Sequence, residues 1–92
     1  MTMCDALRSM LDEAVVLDTG TPIVYLGTLT EVTDHTFVLT LADMHDCRQG
    51  HANQEEYIAL AHTTGLSVNR RKVVVMRSAV ISVSRLADIV AE

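Results

Sequence analysis

Hydrophobic residues recur near the start of the chain with the spacing of a helix. They stand at i, i+4, i+7 and i+8: Met3, Leu7, Met10 and Leu11. This spacing puts the four side chains on one helical face, so the pattern predicts an amphipathic helix over about residues 3–12. Thr2 and Asp5 have the three-residue separation of a capping box, which supports a helix start at this point.

The pattern of β-branched and apolar residues from Ala14 onward predicts strands separated by turns. Ala14–Asp18 is the first predicted strand and Ile23–Val32 is the second, which has apolar side chains on both faces. Gly27 stands in the middle of the second strand, as is typical of a barrel strand that bends sharply. The alternation that follows predicts a third strand with one inward face: Phe37, Leu39 and Leu41.

The second half of the chain is predicted to insert a helix before two further strands. Residues 44–53 are polar and irregular, and Asn53 is a suitable cap for a helix over about residues 53–64. Residues 73–76 and 79–83 are apolar and rich in β-branched side chains, so they predict the fourth and fifth strands.

These elements describe one small, mainly β domain spanning residues 1–92. Their order is an N-terminal helix, three antiparallel strands, an inserted helix and two strands, with a short turn or helix over residues 84–90. Five short strands, one of them bent at a glycine, favour a small bent five-stranded antiparallel barrel over a sandwich. We expect the barrel to cover about residues 14–84.

Composition narrows the class of protein. Hydrophobic residues make up 49% of the chain and the mean hydropathy is +0.25, which is too apolar for a disordered chain. No apolar run approaches the roughly 18 residues of a membrane helix, and no secretory signal is recognisable. So much apolar surface on 92 residues predicts burial between subunits. Cys4 and Cys47 lack ligand-type spacing, which favours reduced thiols and a cytoplasmic protein.

Charge is distributed unevenly along the chain. Residues 1–46 hold eight acidic and one basic residue (8 − 1, net −7), and residues 47–92 hold four acidic and six basic residues (6 − 4, net +2). The overall net charge of −5 argues against broad, non-specific binding of nucleic acid. One basic cluster stands out: Asn69, Arg70, Arg71 and Lys72. It is suited either to phosphate contacts or to ion pairs with the acidic residues.

Potential metal ligands crowd into nine residues of the polar segment: Asp43, His45, Asp46, Cys47 and His51. Imidazole and thiolate are good ligands for zinc and related ions. The spacing matches no standard motif, so we expect a polar loop and no cofactor or metal, with His45, Cys47 and His51 as the weak alternative. The sequence contains no nucleophile elbow, phosphate-binding glycine loop or zinc-hydrolase motif, so we do not expect an enzyme.

Two short motifs resemble those of the Sm-like superfamily, which includes Sm, Lsm and Hfq proteins. The first combines Val-Val-Leu-Asp at residues 15–18, Tyr-Leu-Gly-Thr-Leu at residues 25–29, and an Asp-led turn and strand over residues 34–43. The second is Val-Met-Arg-Ser-Ala-Val at residues 75–80, which is closer to the bacterial Hfq form. The likeness covers most of the chain, and the order of elements agrees.

The resemblance implies a homo-oligomeric ring, expected to hold five to seven copies, in which the fourth and fifth strands of neighbouring subunits pair. It also implies binding of single-stranded RNA. Thr36 and Val38 stand where such proteins stack on uridine and read its edge. Thr36 has no π-face, and the Val38 side chain makes no hydrogen bond, so we expect phosphate contacts to predominate. The candidate RNA-binding residues are Thr36, Asn69, Arg70, Arg71, Lys72 and Arg77.

Two alternatives stay open at this point. Arg77 matches the basic residue of the second motif, and it is placed either to line a ring pore or to pair with Asp34 or Asp43. The chain as a whole is either an RNA-binding ring protein, or a scaffold of an RNA-related assembly, or an oligomeric protein-interaction module that does not bind RNA. The acidic balance favours the interaction module, and the basic residues favour RNA.

Overall fold

The computed structural model describes residues 4–50 and 52–90 and contains one five-stranded antiparallel sheet. The strands are β1 (Ala14–Asp18), β2 (Ile23–Val32), β3 (Thr36–Asp46), β4 (Arg70–Met76) and β5 (Ser82–Arg85). They are arranged in the order β4-β3-β2-β1-β5. The short helix α1 (Asp5–Arg8) precedes the sheet, and α2 (Gln54–Thr64) lies between β3 and β4. The mainly β fold with an N-terminal and an inserted helix, expected from the sequence, is therefore confirmed.

Gly27 lies at the bend in β2, where the two longest strands approach each other closely. A Cβ atom at this position would lie 3.0 Å from the Cβ of Ala42 and 3.2 Å from the carbonyl oxygen of Thr40. Leu26 pairs with Asp43 and Thr28 pairs with Thr40, so two residues of β3 lie opposite Gly27. The glycine thus makes room for a β-bulge in the neighbouring strand.

Because of the bulge, the alternation of inward and outward side chains in β3 differs from the predicted one. Leu41 takes the extra position with a φ of 48° and is 58% exposed, whereas Ala42 is fully buried. One inserted residue reverses which side chains face the core, because successive residues of a strand point to opposite faces. Phe37 and Leu39 are buried as predicted, but the next inward position belongs to Ala42 and not to Leu41.

Both faces of the central strands are covered. Val15 and Leu17 belong to one cluster of buried side chains, against which Leu7 and Met10 also pack. Val16 belongs to a second cluster on the other face, which α2 covers with three side chains: Tyr57, Ile58 and Ala61. The inserted helix is therefore docked on the sheet. Asn53 caps it as predicted, and its side chain accepts a hydrogen bond from the Glu56 N–H at 2.8 Å.

Several element boundaries differ from those predicted. The helix α1 has four residues with Cys4 as its N-cap, and Thr2 and Met3 lie outside the described residues. β3 continues to Asp46 through a segment predicted to be irregular, because Tyr25 and Val24 provide pairing partners for it. β5 starts at Ser82, since a 3-10 turn occupies Arg77–Ala79. Among the described residues, no helix is long and apolar enough to cross a membrane.

Candidate nucleic-acid interface

The basic cluster forms the first three residues of the edge strand β4. Arg70, Arg71 and Lys72 are all exposed, and the strand pairs with β3 on one side only. Within residues 4–50 and 52–90, none of the three makes an ion pair, and the Arg70 guanidinium donates a hydrogen bond to the Asn69 carbonyl at 3.0 Å. The cluster therefore presents three cationic groups to solvent on a regular strand.

Asp46, one of the acidic residues available to pair with this cluster, binds a different arginine. Asp46 forms a bidentate interaction with Arg48, with 2.6 Å between the Arg48 Nη2 and Asp46 Oδ2 atoms. These hydrogen bonds lower the pKa of the Asp46 carboxyl to about 2. Asp46 is consequently engaged within its own segment.

Arg77 lies at the other end of β4, seven residues beyond Arg70. Its guanidinium donates a hydrogen bond to the Thr33 carbonyl at 2.7 Å and lies over the Phe37 ring, 5.3 Å from the centroid. Its N–H donates to the His35 carbonyl at 2.8 Å. Seven strand residues span about 23 Å, so Arg77 belongs to a different part of the surface from the basic cluster.

Thr36 lies near Arg77, because Thr36 pairs with Met76 at the start of β3. The Thr36 hydroxyl is 2.5 Å from the Thr33 hydroxyl, within the turn that joins β2 to β3. Val38, two residues further on, is only 7% exposed. Neither residue therefore offers an aromatic face, and Val38 offers no exposed polar group that could read a base.

Both polar atoms of the Asn69 side-chain amide form hydrogen bonds within the protein. Its Oδ1 accepts a hydrogen bond from the Met44 N–H at 3.0 Å, and its Nδ2 donates to the Met44 carbonyl at 2.9 Å and to Asp43 Oδ1 at 3.2 Å. The backbone N–H of Asn69 donates to the Ala42 carbonyl at 2.9 Å. Asn69 thus fixes the start of the basic strand against β3.

Asp43 is a buried carboxyl, whereas the sequence indicates it only as an ion-pair partner or a metal ligand. It is 1% exposed and accepts hydrogen bonds from Asn69 and from the Tyr57 hydroxyl. Burial and the contact with Asp43 raise the pKa of Tyr57 above its ordinary range. The carboxyl joins three segments: β3, α2 and the residue preceding β4.

His45 lies at the end of β3 and stacks on the same tyrosine. The rings of His45 and Tyr57 have centroids 3.7 Å apart and are parallel to within 2°. Both side chains are half-buried. The sequence placed His45 in a polar loop as a weak metal ligand, and nothing in the spacing indicated that Tyr57 lies against it.

Cys47, a second weak metal candidate, does not belong to a cluster of metal ligands within the described residues. Cys47 lies in the 3-10 turn Cys47–Gln49, where burial, and then the charge of Asp46, raises the pKa of its half-buried thiol. His51 lies outside the described residues. Among residues 4–50 and 52–90, no group of three or more His, Cys, Asp or Glu side chains is placed to hold a metal ion.

Comparison with known proteins adds one solved structure to this geometry. An Sm protein of Pyrococcus abyssii, solved in complex with a uridine heptamer, matches 92% of this chain and 99% of its own chain, with a TM-score of 0.60 and 19% sequence identity. No family model and no curated protein matches the chain. The structural likeness shows that the chain has the Sm fold, as its two motifs predicted.

Proposed function

We propose that this chain is a ring-forming Sm-like protein of bacterial type that binds single-stranded RNA in the cytoplasm through phosphate contacts and catalyses no reaction. The observation that carries the proposal is the exposed run Arg70, Arg71 and Lys72 on the edge strand β4. The Sm protein with the same fold was solved with a uridine heptamer, which supports RNA as the ligand class.

Exposed edge strands support the ring. β4 and β5 each pair with one neighbour in the described sheet, which leaves a row of backbone donors and acceptors on each outer edge. Val74 and Met76 of β4 are each 53% exposed, and Ile81 before β5 is 70% exposed. Unprotected apolar edges favour association, and pairing β4 of one copy with β5 of the next closes five to seven copies into a ring.

Phosphate contact supplies the binding energy in this proposal. A ring repeats the three cations of β4 once per subunit, which produces a positive field on a chain whose net charge is −5. Binding to a single strand by counterion release weakens with salt by roughly 0.7 logarithmic units per phosphate neutralised, for each tenfold rise in salt. The affinity is therefore expected to fall steeply with salt and to differ little between uridine and adenosine strands.

The test is fluorescence anisotropy with labelled oligo-uridine and oligo-adenosine at two salt concentrations. Arg70→Ala/Arg71→Ala is expected to weaken the binding of both strands and to reduce the salt slope. Arg8→Ala/Arg48→Ala removes the same number of positive charges outside β4 and is expected to retain most of the affinity. Equal losses in the two double variants would contradict a specific role of β4.

The protein-interaction module is the second candidate. The observations that favour it are the acidic net charge and an exposed leucine on the inserted helix, Leu60. The interaction module predicts that neither RNA strand binds in the anisotropy experiment. If the wild-type protein binds neither strand at low salt, the RNA proposal is wrong and the interaction module is left.

A further inference from the structure

The ring pair His45–Tyr57 is an aromatic surface at the end of β3 far from the turn that holds Thr36. The two rings are parallel to within 2° with 3.7 Å between centroids, so they are stacked face to face. Both side chains are half-buried, so each retains an accessible part. The His45 ring already stacks on the Tyr57 ring, so the pair has the geometry of two layers of an aromatic stack.

The ring pair is held in place before any ligand arrives. The Tyr57 hydroxyl donates a hydrogen bond to Asp43, whose carboxyl also accepts from Asn69 at 3.2 Å and is 1% exposed. The tyrosine ring therefore has a fixed position on the sheet, and His45 lies against a rigid neighbour. Rigid aromatic groups bind with a smaller loss of conformational entropy than mobile ones.

The stacked pair lies beside the start of the basic strand. The Asn69 side chain is hydrogen-bonded to both the N–H and the carbonyl of Met44. Met44 is the residue before His45, and Asn69 is the residue before Arg70. Arg70 pairs with Ala42, three residues before His45, so the aromatic stack lies about 10 Å along β3 from the first cation of β4, close enough for one short RNA segment to contact both.

We propose that His45, supported by Tyr57, is a stacking platform for one nucleobase of the RNA whose phosphates contact Arg70, Arg71 and Lys72. This inference rests on the proposed function and adds a base contact to it. Stacking on an aromatic face tolerates any base, because every base has a π-face. A stacking platform at His45 is therefore consistent with RNA binding of weak base preference. It also supplies the aromatic face that Thr36 lacks.

The experiment separates a base contact from a phosphate contact by using two unlabelled strands with the same backbone. One is an adenosine heptamer, and the other is a heptamer of abasic ribose phosphates. Isothermal titration calorimetry on the wild-type protein is expected to give the tighter binding for the adenosine strand. Each stacked base that is lost corresponds to a decrease in affinity of about 5- to 150-fold, so the abasic strand is expected to bind more weakly by at least this factor.

Three variants identify the residue that makes the base contact. His45→Leu keeps an apolar side chain against Tyr57 but removes the aromatic face, so it is expected to weaken adenosine binding and leave abasic binding unchanged. His45→Phe retains a stacking face and is expected to bind both strands like the wild type. Arg70→Ala/Arg71→Ala is expected to weaken both strands by a similar factor. Equal melting temperatures of the two His45 variants and the wild type exclude a folding defect.

A second measurement reports stacking directly. A heptamer with 2-aminopurine at its centre loses fluorescence when that base stacks, and this quenching is expected with the wild type and His45→Phe but not with His45→Leu. If His45→Leu binds both strands and quenches as the wild type does, the platform is wrong and phosphate binding still stands. If the wild type binds neither heptamer at low salt, the platform and the proposed function are both wrong.

Discussion

The Tyr57 hydroxyl donates a hydrogen bond to the buried carboxyl of Asp43, and this bond joins the inserted helix α2 to the strand β3. Asp43 is fully buried, so its oxygens depend on protein donors in place of water. Asn69 is its other donor. The same tyrosine ring supports His45, so this bond connects the stability of the fold to the candidate RNA surface.

Replacing Tyr57 by phenylalanine tests the contribution of this bond to stability. The Tyr57→Phe variant keeps the ring but leaves Asp43 with one donor fewer, so we expect it to lose about 1–3 kcal/mol of unfolding free energy. Urea denaturation measures the difference. Tyr25→Phe is the matched control, because the Tyr25 hydroxyl has no hydrogen bond within residues 4–50 and 52–90, and we expect a change within about 0.5 kcal/mol. Equal effects of the two variants would contradict the role of Asp43.

Alkaline pH is expected to remove the contribution of the Tyr57 hydroxyl. Its pKa in the folded protein lies above the ordinary value of 10.0, because burial and Asp43 disfavour the phenolate. The folded state therefore holds this proton more tightly than the unfolded state, and the resulting stability is fully present below pH 10. As pH rises above 10, the wild type should lose stability relative to Tyr57→Phe. A stability difference between the two that stays constant from pH 8 to pH 11.5 would contradict this expectation.

The bend at Gly27 predicts that even one methyl group is harmful there. The added Cβ of Gly27→Ala would meet Ala42 at 3.0 Å and the Thr40 carbonyl at 3.2 Å, which are backbone and near-backbone atoms without freedom to move aside. We expect a loss of about 1–3 kcal/mol, measured by thermal unfolding. Gly50→Ala is the control, since its nearest contact is His45 Nε2 at 3.8 Å. A Gly27→Ala melting temperature equal to that of the wild type would show that the strands separate easily at the bulge.

The exposed edge of β4 predicts the assembly state. Light scattering coupled to gel filtration at micromolar concentration is expected to give a closed oligomer of the wild type. Val74→Lys/Met76→Lys places two charges on the apolar half of the edge and is expected to shift the protein toward the monomer. Leu60→Lys, which alters an exposed leucine on α2, is the control and should leave the mass unchanged. A 10.1 kDa wild-type monomer would contradict the ring.

The amino-acid pattern by itself determined the kind and order of most elements. β-branched runs identified β1 and β2 with the observed boundaries, and the capping residue Asn53 marked the start of α2 within one residue. Gly27 was recognisable as the bend because few strand positions tolerate the absence of a side chain. These features depend on residues close together in sequence, which is why they could be predicted from local patterns.

Only the tertiary structure decided the features that depend on contacts between distant segments of the chain. The inward position of Ala42 in place of Leu41 follows from the bulge opposite Gly27, and no local alternation shows it. Tyr57 stands fourteen residues from Asp43 and twelve from His45, so only the docking of α2 on β3 brings the three side chains together. The charges of β4 were visible in the sequence, whereas the aromatic pair beside them arises from packing, because contacts between faces of separate elements leave no periodic signal along the chain.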